Sequence, residues 1–511
     1  MSQTSSRRKL LAGAATLFAT AAFVPTALAD SAQAEGILDN LPFERIKNEP
    51  CGSCGLFTCD VVIIGAGAAG LSAAIEACEA GASVIVLEKM PQVGGNTLLA
   101  GESILVADSI RQTDPEEVRE ATRADMRRFL AAIIERGRTP NETLDRILLE
   151  RSGETLTWLR RLGCNFTLRE PLDGYKHVNA FRSDGVPVGI EVMRHLLYRA
   201  ERLGIPVLTR NRVVAMEANS DGKSVKIETR DHLGRSGFFT AGAAVLATGG
   251  YAGSPELIQE FLPNAPRLMT TNMPSATGDG LVLARTVGAG FRDLDAVMMQ
   301  PTTDPLTGTI VPKAFRTQGA ILVNAEGFRF VNELARPEEV SEAILKQPEG
   351  FAWLIADRTV DSARQLDEDL SSSFGWHTDE TILELSRTLG VNFYALSNTL
   401  EECRTTRCAR RGSRDKDFVR PQECSAFTVP PFYSIRVRPA YHATTGGVLV
   451  DGDGHMLTKN GARIPRFFAA GEITGGVCGT SRLDNFGLME AVLFGRIAGK
   501  SAASSARPRG K

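Results

Sequence analysis

Beyond its first thirty residues, the chain has no apolar run approaching the roughly 20 residues a membrane-spanning helix needs, so no stable membrane insertion is expected. It has no surplus of positive charge. Lys+Arg number 58 against 60 Asp+Glu, a formal charge of -2, which excludes the basic footprint of a nucleic-acid binder. It has no covalent haem motif, because Cys51-Gly52-Ser53-Cys54 is followed by Gly55 and not by histidine, and no Cys-x-x-Cys-His occurs elsewhere. No second ligand pair stands at zinc spacing, so no metal site is assigned. Repeats and low-complexity tracts are absent. What remains is 511 residues, 43% hydrophobic and 23% charged, enough for two or three globular domains with a large buried core.

The N-terminus is of another kind. Ser6-Arg7-Arg8-Lys9-Leu10-Leu11 precedes an Ala-rich apolar segment to Val24 and a small-x-small site, Ala27-Leu28-Ala29. This pattern predicts a twin-arginine signal over 1–29, export of a protein already folded around its cofactor, and a periplasmic location. An uncleaved N-terminal anchor is the alternative. Residues 30–58 read as a linker. Of the nine cysteines, Cys51, Cys54 and Cys59 cluster before the first strand, and Cys403, Cys408 and Cys424 lie in a charged segment, 401–424, that reads as irregular. A bridge among them and free thiols are both compatible with an oxidising compartment.

The most informative stretch is Val61-Val62-Ile63-Ile64-Gly65-Ala66-Gly67-Ala68-Ala69-Gly70. Four apolar residues predict a buried parallel strand, and Gly-x-Gly-x-x-Gly turns it into a helix. Gly65 allows the tight turn, Gly67 lets the backbone approach a pyrophosphate, and Gly70 lets helix and sheet pack closely, with Ala69 in the first helical turn. The helix N-terminus offers N–H groups to phosphates. Residues 83–87 predict a second buried strand, and Glu88 at its end suits a ribose diol. A dinucleotide site follows. Further on, 115–163 is helical in period from Asp114-Pro115-Glu116-Glu117, and 205–209, 213–218 and 225–229 are short β-runs. Residues 243–247 predict a buried strand ending at Thr248-Gly249-Gly250. A second strand-to-glycine unit, 467–476, implies that the C-terminus returns to complete the nucleotide domain. The expected division is 59–295 and 436–511 for that domain, with 296–435 inserted and helical near 337–347 and 379–389.

Taken together, these pieces resemble the fumarate reductase/succinate dehydrogenase flavoprotein family, especially its soluble exported branch, from Cys59 to about Ala503. The matching segments are Gly65-x-Gly67-x-x-Gly70, Glu88-Lys89, Gly94-Gly95-Asn96-Thr97, Ala247-Thr248-Gly249-Gly250, Thr277-Gly278-Asp279-Gly280 and 319–324. They continue with Arg329-Phe330-Val331-Asn332-Glu333, Thr445-Gly446-Gly447-Val448, Ala470-Gly471-Glu472-Ile473-Thr474-Gly475-Gly476 and Ser481-Arg482-Leu483. The resemblance implies an α/β fold, a Rossmann-like FAD-binding domain with an inserted α+β capping domain. It implies FAD as cofactor, held by these glycines with Glu88, Lys89, Asn96, Thr97, Thr248, Asp279, Glu472 and Arg482. Gly94-Gly95-Asn96-Thr97-Leu98-Leu99 lacks the histidine through which membrane-bound members attach FAD, so non-covalent FAD is expected. The chain carries no haem domain of its own, so a separate donor, a c-type cytochrome, is expected.

By the same resemblance Arg482 clamps the substrate carboxylate, and its planar fork suits that role. His442 matches one histidine of a motif that often has two, with Ala443 in the second place. The family's proton donor is an arginine shortly after Phe-Val-Asn-Glu; a one-residue shift puts Arg336 there, with Pro337 holding it extended. Arg316 matches the relay arginine, but Lys313 stands where the relay glutamate belongs. Gln300-Pro301-Thr302 replaces the His-Pro-Thr that binds a second carboxylate. Fumarate is therefore disfavoured. Either a monocarboxylate tail lies along Met298, Met299, Gln300 and Phe315, or Lys313, Arg436 or Arg438 clamps a different diacid. The expected activity is reduction of an acrylate- or cinnamate-type acid as respiratory electron acceptor. Fumarate reduction proper, a ketosteroid-type dehydrogenation and a non-catalytic flavin relay are the alternatives.

Overall fold

In a computed structural model, residues 56–101, 103–108, 114–136, 141–172, 175–220, 222–360, 375–408, 427–480 and 486–506 are described. They divide into two compact units, one within Gln300–Pro439 and the other within Leu41–Met299 and Ala440–Lys511.

The larger unit opens with β1 (Leu56–Ile64), α1 (Ala68–Glu79) and β2 (Val84–Leu87). Residues 61–64 are almost wholly buried, as a strand covered on both faces demands. Next come β3 (Ile104–Ala107), α2 (Glu116–Arg136), α3 (Glu142–Leu162), β4 (Phe166–Pro171), β5 (Val178–Ser183) and α4 (Val188–Arg202). The first part ends with β6 (Val207–Leu208), β7 (Asn211–Ala218), β8 (Val225–Asp231), β9 (Ser236–Leu246), α5 (Pro255–Phe261), α6 (Asp279–Thr286) and β10 (Phe291–Arg292). β11 (Val297–Thr303) leads into the smaller unit, which adds α7 (Lys313–Thr317), β12 (Ile321–Val323), α8 (Pro337–Leu345), β13 (Ala352–Asp357), β14 (Trp376–Asp379), α9 (Ile382–Leu389) and α10 (Phe393–Cys408). β15 (Phe432–Thr444) leads back to β16 (Gly447–Val448), β17 (His455–Leu457), β18 (Arg463–Ala469) and α11 (Gly487–Ala506).

The main sheet runs β17-β18-β9-β1-β2-β6, with the β7–β8 hairpin joined to β9 through β8. The pairs β18–β9, β9–β1, β1–β2 and β2–β6 are all parallel. β1 is the point where strand order reverses, and ligands of such sheets bind beyond the carboxyl ends of the strands at that point. Gly65, Thr248 and Gly471 follow the carboxyl ends of β1, β9 and β18, so three motifs far apart in sequence share one edge. Behind that edge α11 lies on α1 almost backbone to backbone. A Cβ at Gly495 would stand 2.3 Å from the Ala69 oxygen, and one at Gly499 would stand 2.1 Å from the Ala73 oxygen.

A second sheet of the larger unit, β3-β5-β4, was not foreseen; its strands are short, of four to six residues, and β4 and β5 mix apolar with charged and polar residues, so periodicity alone does not separate them from loops. In the smaller unit β11-β15-β13-β12 form one sheet, with β14 on β15. Alternation along β12 feeds two cores. Leu322 faces one, with Phe315, Val340, Ile344 and Tyr433, while Ile321 and Val323 face another, with Leu385, Leu396 and Leu400. Thr381 and Glu384 close a capping box at the start of α9. The segment expected to be irregular from 401 is helical to Cys408, because Leu396, Leu400 and Cys403 bury one face of α10. Cys403 is buried. Cys51, Cys54 and Cys424 lie outside the described residues, as does the signal, 1–29.

Candidate active site

The first glycine loop is built as its sequence requires. Gly65 has φ +107 and its missing Cβ would stand 2.3 Å from the Ala247 oxygen, so neither conformation nor space admits another residue. A Cβ at Gly70 would stand 1.9 Å from the Gly65 oxygen. Gly67 differs. It has φ -81 and ψ -173, and a Cβ there meets only Gly94 O at 3.5 Å and Thr97 Oγ1 at 3.6 Å, ordinary contact. Nothing in the polypeptide requires a glycine at 67, and a ligand approaching the backbone does. α1 starts there with no cap from Gly67 and no acid in its first turn, so its N-terminal end can still receive an anion. Ala69 lies in that turn, packed beside Gly471.

Glu88 ends β2 nearly buried, accepting from Ala66 N at 2.9 Å and from Met90 N at 2.8 Å. Burial pushes its carboxyl above the usual range, and these N–H groups pull the other way. Lys89 donates to Thr277 at 2.6 Å and to Asp279 at 3.2 Å, and Arg212 adds two bonds to Asp279, at 3.0 and 3.2 Å. Asp279, at the N-terminus of α6, is held below the usual carboxylate range by Lys89, Thr277 and Arg212 against the opposing effect of burial. Lys89 and Asp279 thus grip one another and tie β2 to α6.

Gly94 and Gly95 open a 3₁₀ turn, Gly95–Leu99, in which Thr97 Oγ1 accepts from Ala68 N at 3.1 Å. Asn96 reaches the other motifs. Its side chain donates to Asn272 at 2.5 Å and to Glu472 at 3.4 Å, and it accepts from Met273 N at 2.9 Å. Glu472 also accepts from Thr444 N at 3.0 Å. Asn272 in turn donates to the His442 carbonyl at 2.8 Å, and the Thr271 hydroxyl meets His442 Nδ1 at 2.7 Å, which fixes the imidazole orientation. Thr248-Gly249-Gly250 closes the group. Thr248 Oγ1 is buried with no hydrogen-bond partner, and a Cβ at Gly250 would stand 2.6 Å from Glu472 Oε1. Thr271 and Asn272 were not singled out from sequence, since only folding brings them to His442.

An open glycine, a helix N-terminus with no acid in its first turn, a buried acid at the end of the second strand and an orphaned hydroxyl on the same edge fit a dinucleotide. A family model described as "FAD binding domain" matches residues 60–488. The chain belongs to this FAD-binding family. Among curated relatives, it is 32% identical over 459 residues to the "Probable fumarate reductase Ifc3" of Shewanella frigidimarina, covering 88% of this chain and 75% of that one. It is 30% identical over 499 residues to the urocanate reductase of Eggerthella lenta, covering 94% and 80%. Among solved structures, the open conformation of a flavocytochrome c3 fumarate reductase superposes with a TM-score of 0.75 at 30% identity, over 91% of this chain and 81% of that one. This member of the FAD-binding family is accordingly an FAD-dependent oxidoreductase of fumarate-reductase-like type.

The smaller unit of the flavoprotein carries most of the remaining candidates. Arg316, 2% exposed at the end of α7, donates to the Glu333 carbonyl at 2.8 Å. Glu333 is itself buried, paired with Arg329 at 2.8 Å and accepting from Leu322 N at 3.0 Å. Three residues on, Arg336 caps α8 with Pro337 at its first helical position and an extended backbone, φ -56 and ψ 145. Its half-exposed side chain donates to Glu339 at 2.5 Å, and that carboxylate raises its guanidinium further above the usual value. Gln300 is part-buried on β11, and Lys313 is exposed at the first residue of α7. The apolar wall expected for a substrate tail loses members. Phe315 is 4% exposed and stacked on Trp376 at 4.8 Å within the core, and Met298 is 6% exposed. Arg436 is engaged by Glu349 at 3.0 Å. Arg482 lies outside the described residues.

Proposed function

We propose that the protein reduces the activated C=C bond of an α,β-unsaturated carboxylate other than fumarate, with non-covalent FAD and with electrons from a separate donor such as a c-type cytochrome. We place it in the periplasm, after twin-arginine export. The observation that carries the reading is the arginine arrangement of the smaller unit. Buried Arg316 is fixed on the backbone of Glu333, and Arg336 follows three residues later in an extended backbone locked by Pro337. Two of the relatives act, by name, on fumarate and urocanate, both conjugated unsaturated carboxylates.

FAD, when bound, supplies the hydride for the β-carbon. The protein's own residues bind the substrate, spread its charge and hold the proton. Arg482 pairs with the activating carboxylate, and His442, oriented by Thr271, donates to the same end. Arg336 holds the proton for the α-carbon. An arginine is a poor acid in water, so it gives the proton up only after exchanging Glu339 for the substrate and with solvent excluded. Arg316 orients the segment that carries it. Gln300, a neutral amide, favours a monocarboxylate, and with Phe315 spent on the core this preference rests on Gln300 alone.

Arg336→Ala is expected to keep FAD and to lose about 10²–10⁴-fold in kcat, the usual worth of a general acid. Near-normal turnover in that variant, read in an anaerobic dye-oxidation assay, shows that another group delivers the proton.

A further inference from the structure

Thr271 does more to His442 than aim it. His442 lies near the carboxyl end of β15, and residues 269–272 run beside it, with Thr270 bridged in parallel to Tyr441. Tyr441 N donates to the Met269 carbonyl at 2.9 Å, and Thr271 N returns a bond of 2.9 Å to the Tyr441 carbonyl. Asn272, buried, holds the backbone one residue on. Its side chain donates to the His442 carbonyl at 2.8 Å and accepts from Asn96 at 2.5 Å. Asn96 lies in the 3₁₀ turn of the cofactor edge and reaches Glu472 there, so the backbone of His442 is tied to that edge through two side-chain amides. With the main chain held in this way, the Thr271 hydroxyl has a fixed position from which to meet the ring.

That hydroxyl has one proton to give and two acceptors in reach. The Tyr441 carbonyl stands at 3.4 Å and is already served by Thr271 N and by Thr270 Oγ1 at 3.3 Å. His442 Nδ1 stands at 2.7 Å, the ordinary length of a hydrogen bond from a hydroxyl. The shorter contact takes the proton. Nδ1 is then the accepting nitrogen, and the ring's own proton belongs on Nε2. We propose that Thr271 is a positioning residue of the reductase site: by donating to Nδ1 it holds His442 as the neutral tautomer with its N–H at Nε2, so that the imidazole meets the substrate carboxylate as an uncharged donor. This deepens the reductase reading above and rests on it. An acid in the place of Thr271 would favour the imidazolium, since a neighbouring carboxylate stabilises the charged ring. A hydroxyl brings no charge, so His442 supplies direction to the carboxylate and not a second cation.

The test uses FAD-loaded protein whose histidines carry an NMR-active nitrogen isotope. His442→Gln assigns the imidazole among the six histidines of the chain, and the nitrogen spectrum shows which ring nitrogen bears the proton. Wild type should show it on Nε2, with Nδ1 accepting. Thr271→Val should bring in the Nδ1–H form. It should also raise KM for an unsaturated carboxylate about tenfold, the upper worth of one neutral hydrogen bond. Its kcat should stay within about twofold, as loss of uniform binding does, and its FAD affinity should be unchanged. Thr271→Ser keeps the hydroxyl and should restore both spectrum and KM. An Nδ1–H ring or an imidazolium in wild type overturns the proposal, and the wild-type spectrum decides that whatever the variants do. So does a valine variant with wild-type KM, or a serine variant as impaired as the valine one. Wild type inactive on every acceptor overturns the reductase reading, and the carboxylate role with it, while the spectrum still judges the Thr271 bond.

Discussion

Gly67 and Gly70 stand three residues apart and answer to different partners. Gly70 is demanded by the protein, with the Gly65 oxygen where its Cβ would be, whereas Gly67 has ordinary room and an ordinary backbone. Gly70→Ala should therefore cost the apoprotein about 1–3 kcal/mol through overpacking. Gly67→Ala should leave apo stability unchanged or raise it by about 0.4–1 kcal/mol, since alanine has less freedom to lose, while FAD affinity falls. Apo thermal melts and FAD fluorescence titrations on the two variants separate these effects; equal loss of apo stability in both would remove the argument that a ligand explains Gly67. The same distinction governs the charged residues. Lys89 and Asp279 are occupied with one another and with Arg212, so they support the site by tying elements together. Asn96, Asn272 and Thr271 form the chain of contacts that reaches His442.

At the level of elements, the dinucleotide fold depends on a helix–helix contact that leaves no room for side chains. Gly495 and Gly499 let the backbone of α11 rest on Ala69 and Ala73 of α1, the helix whose N-terminus faces the cofactor edge. Gly495→Ala should lower Tm by the equivalent of about 1–3 kcal/mol and weaken FAD retention at once, because α1 must shift. Unchanged Tm and FAD content on gel filtration would show the contact to be dispensable. β1, α1 and β2 were legible in the sequence because a buried apolar run, three glycines and an acid in fixed order leave few alternatives. The end of β9 was legible as an apolar run that meets glycines, and α2 and α3 were legible by period, as one helical stretch over 115–163. β3–β5 were not, because runs of four to six residues carry too little pattern. Phe315 was expected to line a substrate and instead stacks on Trp376, since an apolar residue in sequence does not say which core claims it.

At the level of the whole molecule, the chain leaves the FAD-binding unit through β11 and returns to it through β15, and β18 then pairs with β9 in parallel register. That return brings Gly471 and Glu472 to the edge already defined by Gly65 and Thr248. The departing segment has its own sheet and its own two cores, so Arg316 and Arg336, to which the proposed function gives the proton, are built on a separately packed scaffold. The central claim is that these parts serve reduction of an unsaturated carboxylate. Anaerobic oxidation of a reduced viologen by the FAD-loaded protein tests it most directly, with fumarate, acrylate, methacrylate, crotonate, cinnamate, itaconate and urocanate as acceptors. The account predicts turnover with a monocarboxylate and little with fumarate. Turnover with fumarate alone would contradict the specificity drawn from Gln300, and silence across the panel would contradict the reductase reading itself.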